Sequence, residues 1–317
     1  MVLRAIYDVP APAKLNLFLH VVGRKADGYH LVDSLMVPID WCDALHFERR
    51  DDVALARHDL GTALPADDLC LRAARALQQA AAVSLGADIS VEKHVPWGAG
   101  LGGGSSDAAA TLLALNRLWG LDWPLERLLP IGLALGADVP FFLGGTAARA
   151  RGIGELLTPI DVPRGWFAVV KPAAGLETRA VFTSPQVAGV VEAARIAGFS
   201  EAERRPFDGP VKVEETGPEL AEGFGRNDLQ AAAESLCPDV ARAAAGLHAA
   251  FGNSRMTGSG SAVFARAGYG PEPSAAMPSD WPGGWSSRMC RSLERHPLAS
   301  WARREGGGRH GASRESS

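Results

Sequence analysis

Apolar and polar positions alternate from Lys14 to Val21. Leu15, Leu17, Leu19 and Val21 point one way and Lys14, Asn16, Phe18 and His20 the other, which is the period of a strand. Lys14 and Asn16 therefore share a face. After the turn signal Asp27-Gly28, "LVDSLMVPI" resumes the alternation, so the two segments predict a hairpin whose loop is longer than two residues. Two further short strands are expected at 43–50 and 52–57. Residues 67–82 carry Leu69, Ala73, Ala76 and Ala80 at helical spacing behind an acidic start, and predict a helix. "ADISVEKHV" then predicts a strand that runs straight into a glycine-rich stretch.

Beyond that stretch, Ala108, Leu112, Leu115 and Trp119 form a helical stripe that Gly120 closes. "PLERLLPIGLALGAD" predicts a second helix ending at Gly136, with Pro130 implying a late start or a kink. Asp138 follows, and Pro140 biases Val139 toward an extended conformation. "TAARARGIGELLTPI" reads as extended segments turning at Gly152 to Gly154, and "GWFAVVKP" as an apolar strand opening a second unit. Helices are predicted at 186–197, 227–236 and 238–250, and a strand, glycine turn and strand across "SRMTGSGSAVFARA". Past Ala267 the composition shifts to Gly, Pro and Ser, and the residues from Arg303 onward offer nothing apolar to bury, so 303–317 is expected to be a disordered tail.

The 317 residues exceed what one hydrophobic core usually organises, so two domains are expected. A hydrophobic fraction of 47% and a charged fraction of 21% describe a globular chain. The net charge of −4, with Lys and Arg scattered, supplies no basic field for nucleic acid and favours a small-molecule partner. Cys42, Cys70, Cys237 and Cys290 stand far apart with no CxxC, which predicts reduced thiols rather than a zinc site or a disulfide framework. No stretch approaches the ~20 apolar residues of a membrane span and the N-terminus lacks a leader pattern, so a cytoplasmic location is expected. Oligomeric state is not legible.

The chemistry concentrates in "VPWGAGLGGGSSDAAATLLALNRLWG", residues 95–120, where bare backbone leads directly into a helix. A helix N-terminus leaves its first amides unpaired and carries the positive end of the dipole, which together hold an anion. Glycines ahead of it bring backbone N–H groups within reach of phosphate oxygens, and Ser105 and Ser106 are expected as N-cap and hydroxyl donors. A glycine turn without a ligand is the alternative. A Walker A loop needs a lysine before Ser105, where Gly104 stands. Gly98, Gly100 and Gly103 match GxGxxG, but a dinucleotide fold needs an acidic strand end ~20 positions later, whereas Asp122 falls in the turn "GLDWP" between two helices.

"PWGAGLGGGSSDAA" resembles the P-x-x-x-G-L-G-S/G-S-S loop of the GHMP kinases. "PAKLNLFLHVVGRKADGYHLVDSLM", "GADVPFFLGGTAARARGIGELLTPI" and "RMTGSGSAVFA" are similar to segments of one branch of that family, in order from about Ala11 to Ala265, with a weaker return at "LERHPL". The resemblance implies an α+β fold of two domains, a ribosomal protein S5 domain 2-like unit over 1–163 and a ferredoxin-like unit over 164–302. It implies ATP and Mg2+ as cofactors, with the phosphates held by Pro96, Trp97, Gly98, Ala99, Gly100, Leu101, Gly102, Gly103, Gly104, Ser105 and Ser106. It further implies Asp138 as catalytic base and Lys14 as the cation near the acceptor oxygen. The acceptor implied is the 2-hydroxyl of a cytidine-diphosphate-linked methylerythritol, with Asn16, Tyr29, His30, Phe182, Gly258, Ser259 and Gly260 as its contacts and the cytosine between aromatic faces. No metal ligand can be named. The family's Asn-Leu at the adenine pocket is replaced by Asp68-Leu69, and relatives place a helix where this chain has prolines between Pro271 and Pro282. Homoserine or a mevalonate derivative as acceptor, and a nucleotide-binding protein without catalysis, are the alternatives.

Overall fold

The computed structural model describes residues 3–196 and 225–302. Strand β1 (Ala5–Arg24) and strand β2 (His30–Arg50) form one long antiparallel hairpin. Its loop is closed by the Lys25 amide donating to the Tyr29 carbonyl at 2.7 Å, with Gly28 at φ +94. β2 pairs along its second half with β4 (Gly86–Glu92) and along its first half with β5 (Ala148–Gly152). β3 (Leu55–Asp59) lies parallel to β4, and β6 (Leu156–Pro159) extends the other edge, giving the order β3-β4-β2-β5-β6 with β1 on β2. The strand expected at 43–50 is thus the far end of β2. The one expected at 52–57 starts later, because the Asp52 carboxylate accepts the Ala54 amide at 3.0 Å and holds that stretch in a turn.

Helices α1 (Leu69–Ala81), α2 (Gly103–Leu118), α3 (Leu125–Leu135) and α4 (Val139–Gly144) cover one face of this sheet. All four predicted stripe residues of α2 are buried, but so are Asp107, Thr111 and Asn116, so α2 is a central helix rather than an amphipathic one. α3 begins at Leu125 and runs through Pro130, so its start is not delayed. Val139 is helical, not extended: Pro140 falls in the first turn of α4, where a missing N–H leaves no bond unmade.

The second sheet has the order β10-β7-β9-β8, from β7 (Trp166–Lys171), β8 (Arg255–Met256), β9 (Val263–Gly268) and β10 (Ser286–Arg291), all antiparallel. Helices α5 (Thr178–Phe182), α6 (Pro185–Ile196), α7 (Gln230–Leu236) and α8 (Pro238–Phe251) complete this part. Of the predicted helices, 186–197 is met by α6 from Pro185, with residue 197 outside the described residues, and 227–236 starts three residues late. β10 was not legible, since "SSRMCR" sits in a Gly/Pro/Ser-rich region. The prolines of 271–282 form a connection in which Trp281 and Trp285 stack at 5.7 Å. The tail call at 303–317 lies outside the described residues.

Period-two burial joins the two sheets. Phe167, Val169 and Phe264 meet Leu15, Leu17, Val37 and Ile39 in one core, while Ala168, Val170, Val263 and Ala265 face helices α7 and α8. β1 breaks its own alternation to serve both cores. A register shift between Asn16 and Phe18 puts Phe18 with Leu15 and Leu17, and Leu19 and Val21 in the other core.

Candidate active site

A cavity of about 620 Å³ opens where the hairpin, the glycine loop, α4 and the β8–β9 turn converge. Lys14 lies at its floor, 3% exposed, with its backbone amide donating to the Leu101 carbonyl at 2.9 Å. Its ammonium donates to Asn16 Oδ1 and stands 3.8 Å from Asp138 Oδ2. Burial lowers the Lys14 pKa and the Asp138 charge opposes that fall. Asp138 is the N-cap residue of α4, yet its side chain makes no capping bond; 35% exposed, it faces the cavity.

Positive φ at Gly98, Gly100 and Gly102 folds the loop back on itself before α2 begins. Gly102, not Ser105 or Ser106, is the N-cap of α2: it takes the left-handed conformation, and a Cβ there would sit 3.0 Å from the Phe142 ring and 3.1 Å from Lys14 Cγ. The serines consequently fall inside the first helical turns. Ser105 lines the cavity, whereas the Ser106 amide already donates to the Gly102 carbonyl and its hydroxyl is buried away from the cavity. Pro96 and Trp97 form the rim, Trp97 being 70% exposed, and Gly98 through Gly104 form the wall.

The second glycine turn packs backbone to backbone on the first. Ser261 and Ala262 amides donate to the Gly98 and Ala99 carbonyls at 3.3 and 3.1 Å, and a Cβ on Gly258 would stand 2.8 Å from the Gly100 carbonyl oxygen. Gly258, Ser259 and Gly260 all line the cavity, and Ser259 hydrogen-bonds Thr178 at 2.9 Å.

At the far end the His30 and Phe182 rings approach to 5.1 Å, with Phe182 on the cavity wall. Burial, aided by Arg24, lowers the His30 pKa, so the imidazole is neutral near pH 7 and can both donate and accept. Tyr29 is 61% exposed at the hairpin tip and does not reach the wall. Asn16 lines the cavity but is 3% exposed, and its amide also bonds Ser34 at 2.8 Å. Asp68 caps α1 by accepting from the Leu71 amide and pairs with Arg57 at 2.9 Å, so its carboxylate is engaged within the protein.

Sequence reasoning passed over a buried cluster under the loop. The Lys93 ammonium bridges Asp43 and, at 2.5 Å, Asp107, while Asp43 also accepts the His94 and Val95 amides at 2.6 and 2.7 Å. Burial raises the Asp107 carboxyl to about 8 even against the Lys93 charge, with Asp43 pushing the same way. A lysine ending the strand "ISVEK" and an acid inside "SSDAAA" were the available signals.

This cavity brings a glycine-rich helix N-terminus together with an ammonium and a carboxylate 3.8 Å apart. The family model described as GHMP kinases N terminal domain matches residues 68–146, which span α1, the glycine loop and α4. A 4-diphosphocytidyl-2-C-methyl-D-erythritol kinase of Methylibium petroleiphilum is 58% identical over 95% of this chain and 100% of its own length. The chain belongs to the 4-diphosphocytidyl-2-C-methyl-D-erythritol kinase family. A second member, from Variovorax paradoxus, is 53% identical over 95% of this chain and all of its own. A crystal structure of a 4-(cytidine 5'-diphospho)-2C-methyl-D-erythritol kinase superposes with TM-score 0.63 and 35% identity over 84% of this chain and 90% of the other. A mevalonate kinase structure, 14% identical with TM-score 0.60 over 92% and 99% of the two chains, shares the fold. The chain is therefore a two-domain α+β GHMP kinase and an ATP-using enzyme. Among the described residues no helix is long and apolar enough to cross a membrane.

Proposed function

We propose that the protein transfers the γ-phosphoryl group of ATP to the 2-hydroxyl of 4-diphosphocytidyl-2-C-methyl-D-erythritol, in the cytoplasm, within isoprenoid precursor synthesis. The observation that carries this reading is the Lys14 ammonium 3.8 Å from the Asp138 carboxylate, in a cavity walled by the glycine loop. Asp138 accepts the hydroxyl proton as the oxygen bonds to phosphorus and the bond to ADP breaks. Lys14 offsets negative charge gathering on the transferring group, and its site does not have to reorganise to do so. The amides of the α2 first turn and of Gly98 to Gly102 hold the phosphates, with Ser105 adding a hydroxyl.

His30 and Phe182 bind the cytosine, His30 by its polar ring edge and Phe182 by its face, and the Gly258 to Gly260 turn approaches the diphosphate. We assign the division between the two units to 163/164, between β6 and β7. Mg2+ fits the donors present. Among the described residues no group of three His, Cys, Asp or Glu could hold a metal ion, and Ser105 and Asp138 are oxygen donors on the cavity wall. Such a pair suits an ion that keeps phosphate and water oxygens as most of its ligands, and the ion would neutralise phosphate charge.

The test is ADP release over a panel of alcohols with and without the cytidyl group, with Asp138→Asn as the second arm. The cytidyl compound should be the preferred acceptor, and Asp138→Asn should lower kcat by about 10²–10⁴-fold while ATP still binds. Phosphorylation of a cytidyl-free alcohol in preference, or an unchanged kcat in Asp138→Asn, would overturn the reading.

A further inference from the structure

Lys14 reaches its place through a chain of buried polar groups that begins in the turn after β8. The Asn16 backbone amide donates to Thr257 Oγ1 at 2.9 Å, and that hydroxyl donates in turn to Asn16 Oδ1 at 3.3 Å, across 241 positions of sequence. The same Oδ1 accepts from the Lys14 ammonium. On the other side Asn16 Nδ2 donates to Ser34 Oγ at 2.8 Å, and Ser34 donates to the Phe18 carbonyl at 2.6 Å. Thr257 and Ser34 therefore hold the Asn16 amide from two directions, fixing which way its acceptor oxygen faces. Thr257 is fully buried and does not line the cavity, so its hydroxyl has no role toward a ligand.

Thr257 is itself held tightly. Its amide donates to the Ala262 carbonyl at 3.0 Å and its carbonyl accepts the Gly260 amide at 3.0 Å, while Asn227 Nδ2 clamps the flanking Met256 and Gly258 carbonyls at 2.8 Å each. The turn that carries Thr257 also binds the Gly98 and Ala99 carbonyls of the first glycine loop. One rigid turn thus contacts both the phosphate cradle and, through Asn16, the lysine.

The geometry points to Thr257 as a positioning residue for the phosphoryl transfer, orienting the Lys14 ammonium through Asn16 Oδ1 so that lysine and glycine loop are set by the same turn. This rests on the reading that Lys14 serves the transfer step. Removing the hydroxyl takes away one of the two groups that hold the Asn16 carboxamide, leaving Ser34 alone to orient it, so the acceptor oxygen facing the ammonium is less firmly placed inside a low-polarity site. The cost falls on the transition state, where placement matters, more than on ground-state binding.

The experiment compares Thr257→Val, which keeps the volume and removes the hydroxyl, with Thr257→Ser, which keeps the hydroxyl. Steady-state kinetics with ATP and the cytidyl acceptor are read beside the Lys14 13Cε resonance in lysine-labelled full-length protein, assigned with Lys14→Arg. Thr257→Val should lower kcat at least tenfold, leave both KM values within threefold, and move the Lys14 resonance without nucleotide, whereas Thr257→Ser should stay within threefold of wild type. Ser34→Ala loosens Asn16 from the opposite side and should also move the resonance, which keeps the idea testable if Thr257→Val does not fold. An unmoved resonance in Thr257→Val and Ser34→Ala, or equal damage from Thr257→Ser and Thr257→Val, would refute it. If wild type failed to phosphorylate the cytidyl acceptor, the functional reading would fall alone, because the resonance reports the coupling without turnover.

Discussion

Gly100→Ala probes the loop-on-loop packing that closes the site. Gly100 sits at φ +73, where a residue with a Cβ loses roughly 1–2 kcal/mol. The new methyl would also run into the Thr257 carbonyl oxygen and lie 3.1 Å from the Gly260 nitrogen. Both neighbours are backbone, so no flexible side-chain end can move aside, and overpacking of that kind adds about 1–3 kcal/mol. The total is about 2–5 kcal/mol, which for a chain of this size lowers Tm by roughly 3–8 °C. Gly104→Ala is the control for stability: it has no positive φ, its Cβ would find Leu69 Cδ1 at an ordinary 3.6 Å, and it lies inside α2, where Ala is the better helix former. Thermal unfolding of both variants, with ATP titration of Gly100→Ala, decides the matter. Gly100→Ala should unfold early and bind ATP at least tenfold more weakly, while Gly104→Ala should match or exceed the wild-type Tm. Equal Tm values for the two variants would refute the argument that backbone contact, rather than glycine content, shapes this loop.

Burial holds the Asp107 carboxyl at about 8, above its ordinary 3.8, so the folded protein keeps a proton that the unfolded chain has already released. That contribution to stability is complete below pH 3.8 and is lost as pH rises toward about 8; the urea midpoint of wild type minus that of Asp107→Asn should fall between pH 5 and pH 8.5. His296 is the reverse case. Burial draws its imidazole down to about 4 from 6.5 and leaves Nε2 without a hydrogen-bond partner, so stability is present above pH 6.5 and lost as pH falls through about 4; His296→Gln should flatten that acid limb in the same assay. Phe182→Ala should raise KM for the cytidyl acceptor at least fivefold and leave KM for ATP unchanged, as read by steady-state kinetics.

Much of this protein is written in short stretches of chain. The strand around Lys14, the helix behind the glycines and the stop at Gly120 each depend on neighbours a few positions away and formed where the sequence placed them, although β1 breaks its alternation at Asn16–Phe18 and α2 buries polar positions as well as its stripe. Tertiary contact decided what local rules could not reach. The bulge that sends Phe18 into one core and Leu19 into the other answers to two packed sheets at once. β10 exists because β7 offers an open edge to "SSRMCR", not because that stretch declares a strand. Gly102 displaced the serines as the cap of α2 because the Phe142 ring and the Lys14 stem leave no room for a Cβ there. Above all, the distance between Lys14 and Asp138, the burial that lowers one pKa, and the Thr257 hydroxyl on Asn16 are properties of groups far apart in sequence. The sequence named Lys14, Asn16 and Asp138 through a family resemblance and left Thr257 unnamed. Only folding could bring them within hydrogen-bond reach, because that distance is set by how two sheets pack and not by any spacing along the chain.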